Sequence, residues 1–155
     1  MAELRRDPIV GRWVIIDDTN PKKPGDFNVG PHHYDDATNC PFCYGNEHMT
    51  PPEIQSFRHE KTIPNTPGWQ VRVVPNKFPA LQIEGNLDRR GLGIFDMTNG
   101  IGAHEVIIET PYHSKDIADL ELPEIEKILD MYCQRSRDLA KDKRFKYILI
   151  FKNYG

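Results

Sequence analysis

Trp69-Gln70-Val71-Arg72-Val73-Val74-Pro75 alternates well enough to read as a β-strand, and the proline removes the next backbone donor and ends it. Working outward, residues 53–59 form a weaker strand candidate before it. Residues 93–97 and 103–110 follow as two more, the second with Val106-Ile107-Ile108 in a run. The Asn99-Gly100 turn signal between them predicts a hairpin. Nearer the start, Arg12-Trp13-Val14-Ile15-Ile16 follows the turn residues Asp7-Pro8 and Gly11 and is a further strand.

One helix is expected, over residues 123–141. Ile125, Ile128, Leu129, Tyr132 and Leu139 recur at helical spacing. Pro123 suits its first turn, and Glu124 and Glu126 near the start with Arg137 and Lys141 near the end match the helix dipole. Residues 145–151 read as a buried strand, and residues 17–39, with Pro21, Pro24, Gly25, Gly30 and Pro31, as loop. Strands, a long loop, more strands, one helix and a last strand make an α+β domain on a mostly antiparallel sheet. An apolar strand so near the final residue is unusual for a complete domain, which suggests truncation.

The 155 residues suffice for one domain, 38% of them hydrophobic and 28% charged, as in an ordinary globular protein. A net charge of −3 argues against nonspecific nucleic-acid binding. No apolar run reaches the ~20 residues of a membrane helix, and the first residues lack an apolar signal core, so a cytoplasmic setting is expected.

Two of the three cysteines stand in Cys40-Pro41-Phe42-Cys43. A turn of that length can aim both thiolates at one ion, and zinc favours such ligands. A redox pair and two unrelated buried thiols are the alternatives; the redox pair belongs where a strand enters a helix, and Gly45-Asn46 and Pro51-Pro52 leave no helix nearby. Two more ligands are needed, and the chain has six histidines: His32, His33, His48, His59, His104 and His113. His32 and His33 look solvated, His59 exposed, and His104 suited to a structural hydrogen bond. Spacing alone does not separate His48, five residues past Cys43, from His113 after Thr110-Pro111-Tyr112.

Four blocks carry a resemblance. The first runs from Asp7-Pro8 and Gly11-Arg12-Trp13-Val14 through Cys40-Pro41-Phe42-Cys43, Gly45-Asn46-Glu47 and Thr50-Pro51-Pro52-Glu53. The second is Val71 through Leu81, the third Gly102-Ala103-His104-Glu105-Val106 with Pro111-Tyr112-His113-Ser114, and the fourth Phe151-Lys152-Asn153-Tyr154-Gly155. In this order they resemble the amino-terminal half of the galactose-1-phosphate uridylyltransferase family, within the histidine-triad superfamily. The resemblance implies a half-barrel sheet with the helix on one face, and a domain spanning residues 1–155 that stops before the catalytic motif. It implies transfer of a uridylyl group from UDP-glucose to galactose 1-phosphate through a uridylyl-histidine. That nucleophile lies in a His-x-His-x-Gln motif which none of the six histidines here occupies. No catalytic residue is therefore assigned within the chain.

Carried over by the resemblance, Cys40, Cys43 and His113 match three ligands of a structural zinc. Phe42, Val74, Asn76, Phe78 and Val106 match positions lining a uridine pocket, and Asn153 one near the nucleotide phosphates. Lys23 stands where the family usually has a phosphate-facing arginine, and Lys77 where some members have an acid. Those departures leave room for the superfamily's adenylyl transferases acting on ADP-glucose. A stand-alone zinc and nucleotide-binding module is the reading from another class. The implied partners are a nucleotide sugar and a hexose 1-phosphate, with a homodimer by analogy.

Overall fold

The computed structural model describes residues 2–16 and 37–152. The α+β architecture is borne out, with the strands divided between two antiparallel sheets. The first sheet contains β1 (Glu3–Arg6), β2 (Trp13–Ile16), β5 (Arg90–Leu92) and β6 (Phe95–Asn99), in the order β2-β1-β6-β5. The second contains β3 (Gln55–Arg58), β4 (Trp69–Pro75) and β7 (Glu105–Ile108), with β4 at its centre. The short β1, Glu-Leu-Arg-Arg, has too little apolar alternation to stand out in the sequence.

Strand β4 is buried on both faces, which explains its dense Val71, Val73 and Val74 content. On one side Val71 and Val73 pack with Leu120, Ile128 and Met131; on the other, Trp69 and Val74 pack with Ile108. The helix α1 (Leu122–Leu139) supplies Ile128 and Met131, both at 0% exposure. Its start combines a proline in the first turn with a reciprocal cap, in which the Glu121 backbone N–H donates to Glu124 Oε2 at 2.9 Å. Leu129, expected on the buried face, is 53% exposed. The stripe centres on Ile128, Met131 and Arg135, and Leu129 lies about 100° round the helix from Ile128. Arg135 fixes the helix to β7 through two bonds to the Glu105 carboxylate, at 2.8 and 2.9 Å.

Two expected elements differ. Asn99-Gly100 does not close a hairpin, because β6 joins the first sheet and β7 the second. Gly100 meets a different need: a Cβ there would stand 2.7 Å from the Ala2 carbonyl oxygen, and Gly100 N donates to that same oxygen at 2.9 Å. The actual hairpin joins β5 to β6, with Gly93 at φ 59. Residues 145–151 form no strand, and Tyr147, Leu149 and Phe151 are exposed. The segment is tied at its ends, by Arg144 Nη1 to Gly85 O at 2.8 Å and by Lys152 to Glu109, but it forms no backbone ladder with a described strand. Among the described residues, no helix is long and apolar enough to cross a membrane.

Candidate metal centre and the face beside it

The Cys40–Cys43 segment folds as consecutive tight turns. Cys43 N donates to Cys40 O at 3.3 Å, Asn46 N to Cys43 O at 3.2 Å, and Met49 N to Asn46 O at 2.9 Å. The Asn46 side chain staples the loop further, its Nδ2 donating to Cys40 O at 2.8 Å and Thr38 O at 3.0 Å. This winding turns both thiols to one side. From beyond the end of β7, His113 reaches the same point across 70 residues of sequence, with Nδ1 3.3 Å from Cys43 Sγ.

Cys40, Cys43 and His113 place their ligand atoms within 4.8 Å of one another. Tetrahedral zinc bonds of ~2.0–2.3 Å set neighbouring ligand atoms roughly 3.3–3.8 Å apart, so the group fits such an ion with little movement. The chemistry of the donors agrees. Burial, then the hydrogen bond to Cys40 and its charge, pushes the Cys43 thiol up to about 11. A divalent cation reverses that preference by stabilising both thiolates. His48, the other candidate left open by spacing, faces solvent outside this group, as does His59.

Sequence reasoning missed the residues that hold the loop to the sheet. Glu47, only 5% exposed, accepts from Trp69 Nε1 at 2.8 Å and from Gly45 N at 3.0 Å. The Tyr44 hydroxyl donates to Trp69 O, and its ring meets the Trp69 ring edge-on at 5.2 Å. Arg72, at 0% exposure, bonds Glu53 Oε2 at 3.1 Å and Thr50 Oγ1 at 2.9 Å. The available signal was a charged residue inside a valine-rich strand, because a buried guanidinium needs fixed partners.

At the far end of β4 stand the residues expected near a nucleotide. The six steps from Trp69 to Pro75 cover ~20 Å. Val74 and Val106 are direct cross-strand partners; Val74 is 1% exposed in the core, and Val106 packs partly buried against it. Asn76 follows the strand, Phe78 projects at 81% exposure, and His104 hydrogen-bonds both Asn76 and Ala80. Phe42 is 41% exposed in the cysteine loop. Lys23, Asn153, His32 and His33 lie outside the described residues. A concavity of about 160 Å³ beside the metal centre is lined by Tyr44, His59, Trp69, Glu109, Tyr112 and Lys127, among others. A larger one of about 460 Å³, at the Arg6–Gly11 turn, contains none of the expected site residues.

A cysteine loop docked on an antiparallel sheet, with two thiols and an imidazole converging, defines an α+β protein able to hold a metal ion. The chain belongs to the family described as galactose-1-phosphate uridyl transferase, N-terminal domain, which matches residues 2–155. It is 36% identical over 157 residues to an ADP-glucose phosphorylase of Arabidopsis thaliana, an alignment covering 99% of this chain and 43% of that protein. To a galactose-1-phosphate uridylyltransferase of Thermotoga maritima it is 30% identical over 156 residues, 100% of this chain and 42% of that protein. The chain thus spans about two fifths of the length of these curated relatives. Among solved structures, an Arabidopsis ADP-glucose phosphorylase with bound ADP-glucose superposes with a TM-score of 0.54 at 33% identity, over 95% of this chain and 41% of that one. A uridylyltransferase structure gives 0.60 at 25% identity, over 94% and 37%.

Proposed function

We propose that this chain is the nucleotide-holding, metal-tethered part of a nucleotidyl transferase moving UMP between UDP-glucose and galactose 1-phosphate. The observation that carries the reading is the convergence of Cys40, Cys43 and His113, the three ligands that the resemblance implies, in a chain that matches the family over residues 2–155. Zinc bound there would supply a fixed cross-link between the cysteine loop and the chain beyond β7. Glu47, Trp69 and Arg72 hold that loop on β4. At the other end of β4, Asn76 presents an amide and Phe78 an exposed ring, a combination suited to bonding and packing a nucleoside. Val74 and Val106 back this face from the core, Phe42 contributes from the cysteine loop, and Lys23 and Asn153 act toward the phosphates. The nucleophilic histidine belongs to a His-x-His-x-Gln motif that these 155 residues do not contain. Free Cys40, Cys43 and Cys133 suit a reducing, cytoplasmic setting, and a homodimer follows by family analogy.

The greater identity to the ADP-glucose phosphorylase, 36% against 30%, favours a second reading in which ADP-glucose is the nucleotide sugar. Calorimetric titration with each ligand separates the two. Tighter binding of UDP-glucose is expected; tighter binding of ADP-glucose selects the second reading, and binding of neither contradicts both. Asn76→Ala is expected to weaken UDP-glucose binding about tenfold, the loss of roughly one good hydrogen bond, at unchanged zinc content. Parallel loss of ligand and zinc would make Asn76 structural.

A further inference from the structure

The turn that aims Cys40 and Cys43 at one point also places them for a bond to each other. Cys43 N donates to Cys40 O at 3.3 Å, closing a β-turn with the two cysteines at its first and last positions. Such a turn holds its end Cα atoms within ~7 Å, which is the reach of a disulfide. The two sulfurs already lie within 4.8 Å of each other and of the His113 ring nitrogen. They differ in access, because Cys40 is half-buried and Cys43 is buried. The third cysteine, Cys133, is exposed on α1 and stands outside this group. The loop also has a seat that does not depend on a metal. Glu47 accepts from Trp69 Nε1, Tyr44 donates to Trp69 O, Arg72 donates to Thr50 Oγ1, and Asn46 Nδ2 donates to Cys40 O and Thr38 O. His113, in contrast, meets the loop at Cys43 Sγ. Loss of the sulfur donors therefore undoes the link to His113 and leaves the loop on β4.

We propose that the cysteine pair is a peroxide-sensitive switch: Cys40 and Cys43 close into a disulfide that releases the metal and frees the His113 segment without unfolding the domain. This rests on the reading of Cys40, Cys43 and His113 as metal ligands. Ligation keeps each sulfur as the thiolate, the form that attacks a peroxide. The Cys40 sulfur, the more accessible of the two, attacks one peroxide oxygen and the O–O bond breaks. Cys40 becomes a sulfenic acid, and the hydroxide that leaves takes up a proton as water. The Cys43 thiolate then attacks the Cys40 sulfur and the S–S bond forms. The sulfenic oxygen leaves as hydroxide and takes up a proton as a second water, so two electrons have passed from the pair to one peroxide. Of the three donors only the His113 imidazole remains, too few for an ion that takes four ligands.

The test uses the zinc-loaded chain carrying Cys133→Ser, so that the pair supplies the only thiols. Hydrogen peroxide should release zinc to a chromophoric chelator in step with the loss of both thiols, and leave a mass lower by two hydrogens. Dithiothreitol followed by zinc should restore thiols and metal, and the oxidised chain should still melt cooperatively. Zinc retained under peroxide overturns the proposal. So does release accompanied by added oxygen atoms that dithiothreitol does not remove, or loss of the melting transition on oxidation. Dimedone, which traps sulfenic acids, reads the order of attack. With Cys43→Ser added it should label Cys40, and with Cys40→Ser added it should leave Cys43 unlabelled; any other pattern contradicts the assigned order. A chain that never takes up zinc sinks the metal centre itself, whereas one that takes it up and keeps it under peroxide sinks only the switch.

Discussion

Glu47 and Arg72 place charge where water scarcely reaches, and each is compensated by fixed partners. Removing one partner strands the other, which costs more than the bond itself contributes. Glu47→Ala leaves Trp69 Nε1 and Gly45 N without their acceptor and should lower the unfolding free energy by about 2 kcal/mol. A urea titration checks this; an unchanged midpoint would mean the loop holds to β4 without the carboxylate. Arg72→Met removes the guanidinium from Glu53, itself 5% exposed in its side chain, and should cost roughly 3–5 kcal/mol. That variant should also bind zinc more weakly than Glu53→Gln, because Arg72 grips the cysteine segment directly through Thr50 Oγ1.

Strand β4 and helix α1 were legible because each carries its signal locally: dense β-branched residues closed by proline, and a helical stripe with a capped start. Ile128→Ala should cost about 2–5 kcal/mol, since Ile128 is fully buried against Val71, Val73 and Met131; a loss below 1 kcal/mol in the same urea experiment would show that the site collapses around the cavity. What stayed illegible depends on partners distant in sequence. Asn99-Gly100 looks like a turn, yet its glycine admits the Ala2 backbone from the far end of the chain. Residues 145–151 have strand composition, but a strand exists only through the backbone beside it, and composition does not say whether one is there. Leu129 matched the helical spacing, but the buried stripe runs through Ile128, Met131 and Arg135, the last held against Glu105, and passes it by.

At the scale of the molecule, the cysteine loop, which carries Phe42, meets His113 from beyond β7 across 70 residues of sequence, while Val74, Asn76, Phe78 and Val106 lie at or beyond the other end of β4. The thiol pair was readable from its spacing. Spacing did not distinguish His113 from His48, and the resemblance to a family was needed to choose it; the group now formed includes His113 and leaves His48 in solvent. His104 does make the structural hydrogen bonds expected of it, but its partners Asn76 and Ala80 lie 28 and 24 residues away and carry no local signal. A metal present at a hundredfold over its dissociation constant adds ~2.7 kcal/mol. At ~2–4 °C per kcal/mol for a domain of this size, chelation should lower the melting temperature by about 5–10 °C, reversibly on adding zinc. The most direct test is elemental analysis of the purified chain beside Cys40→Ser and His113→Ala. One zinc per chain is expected in the unsubstituted protein, with substantial loss in both variants, whereas absence of zinc from the first or its full retention in the other two would contradict the metal centre.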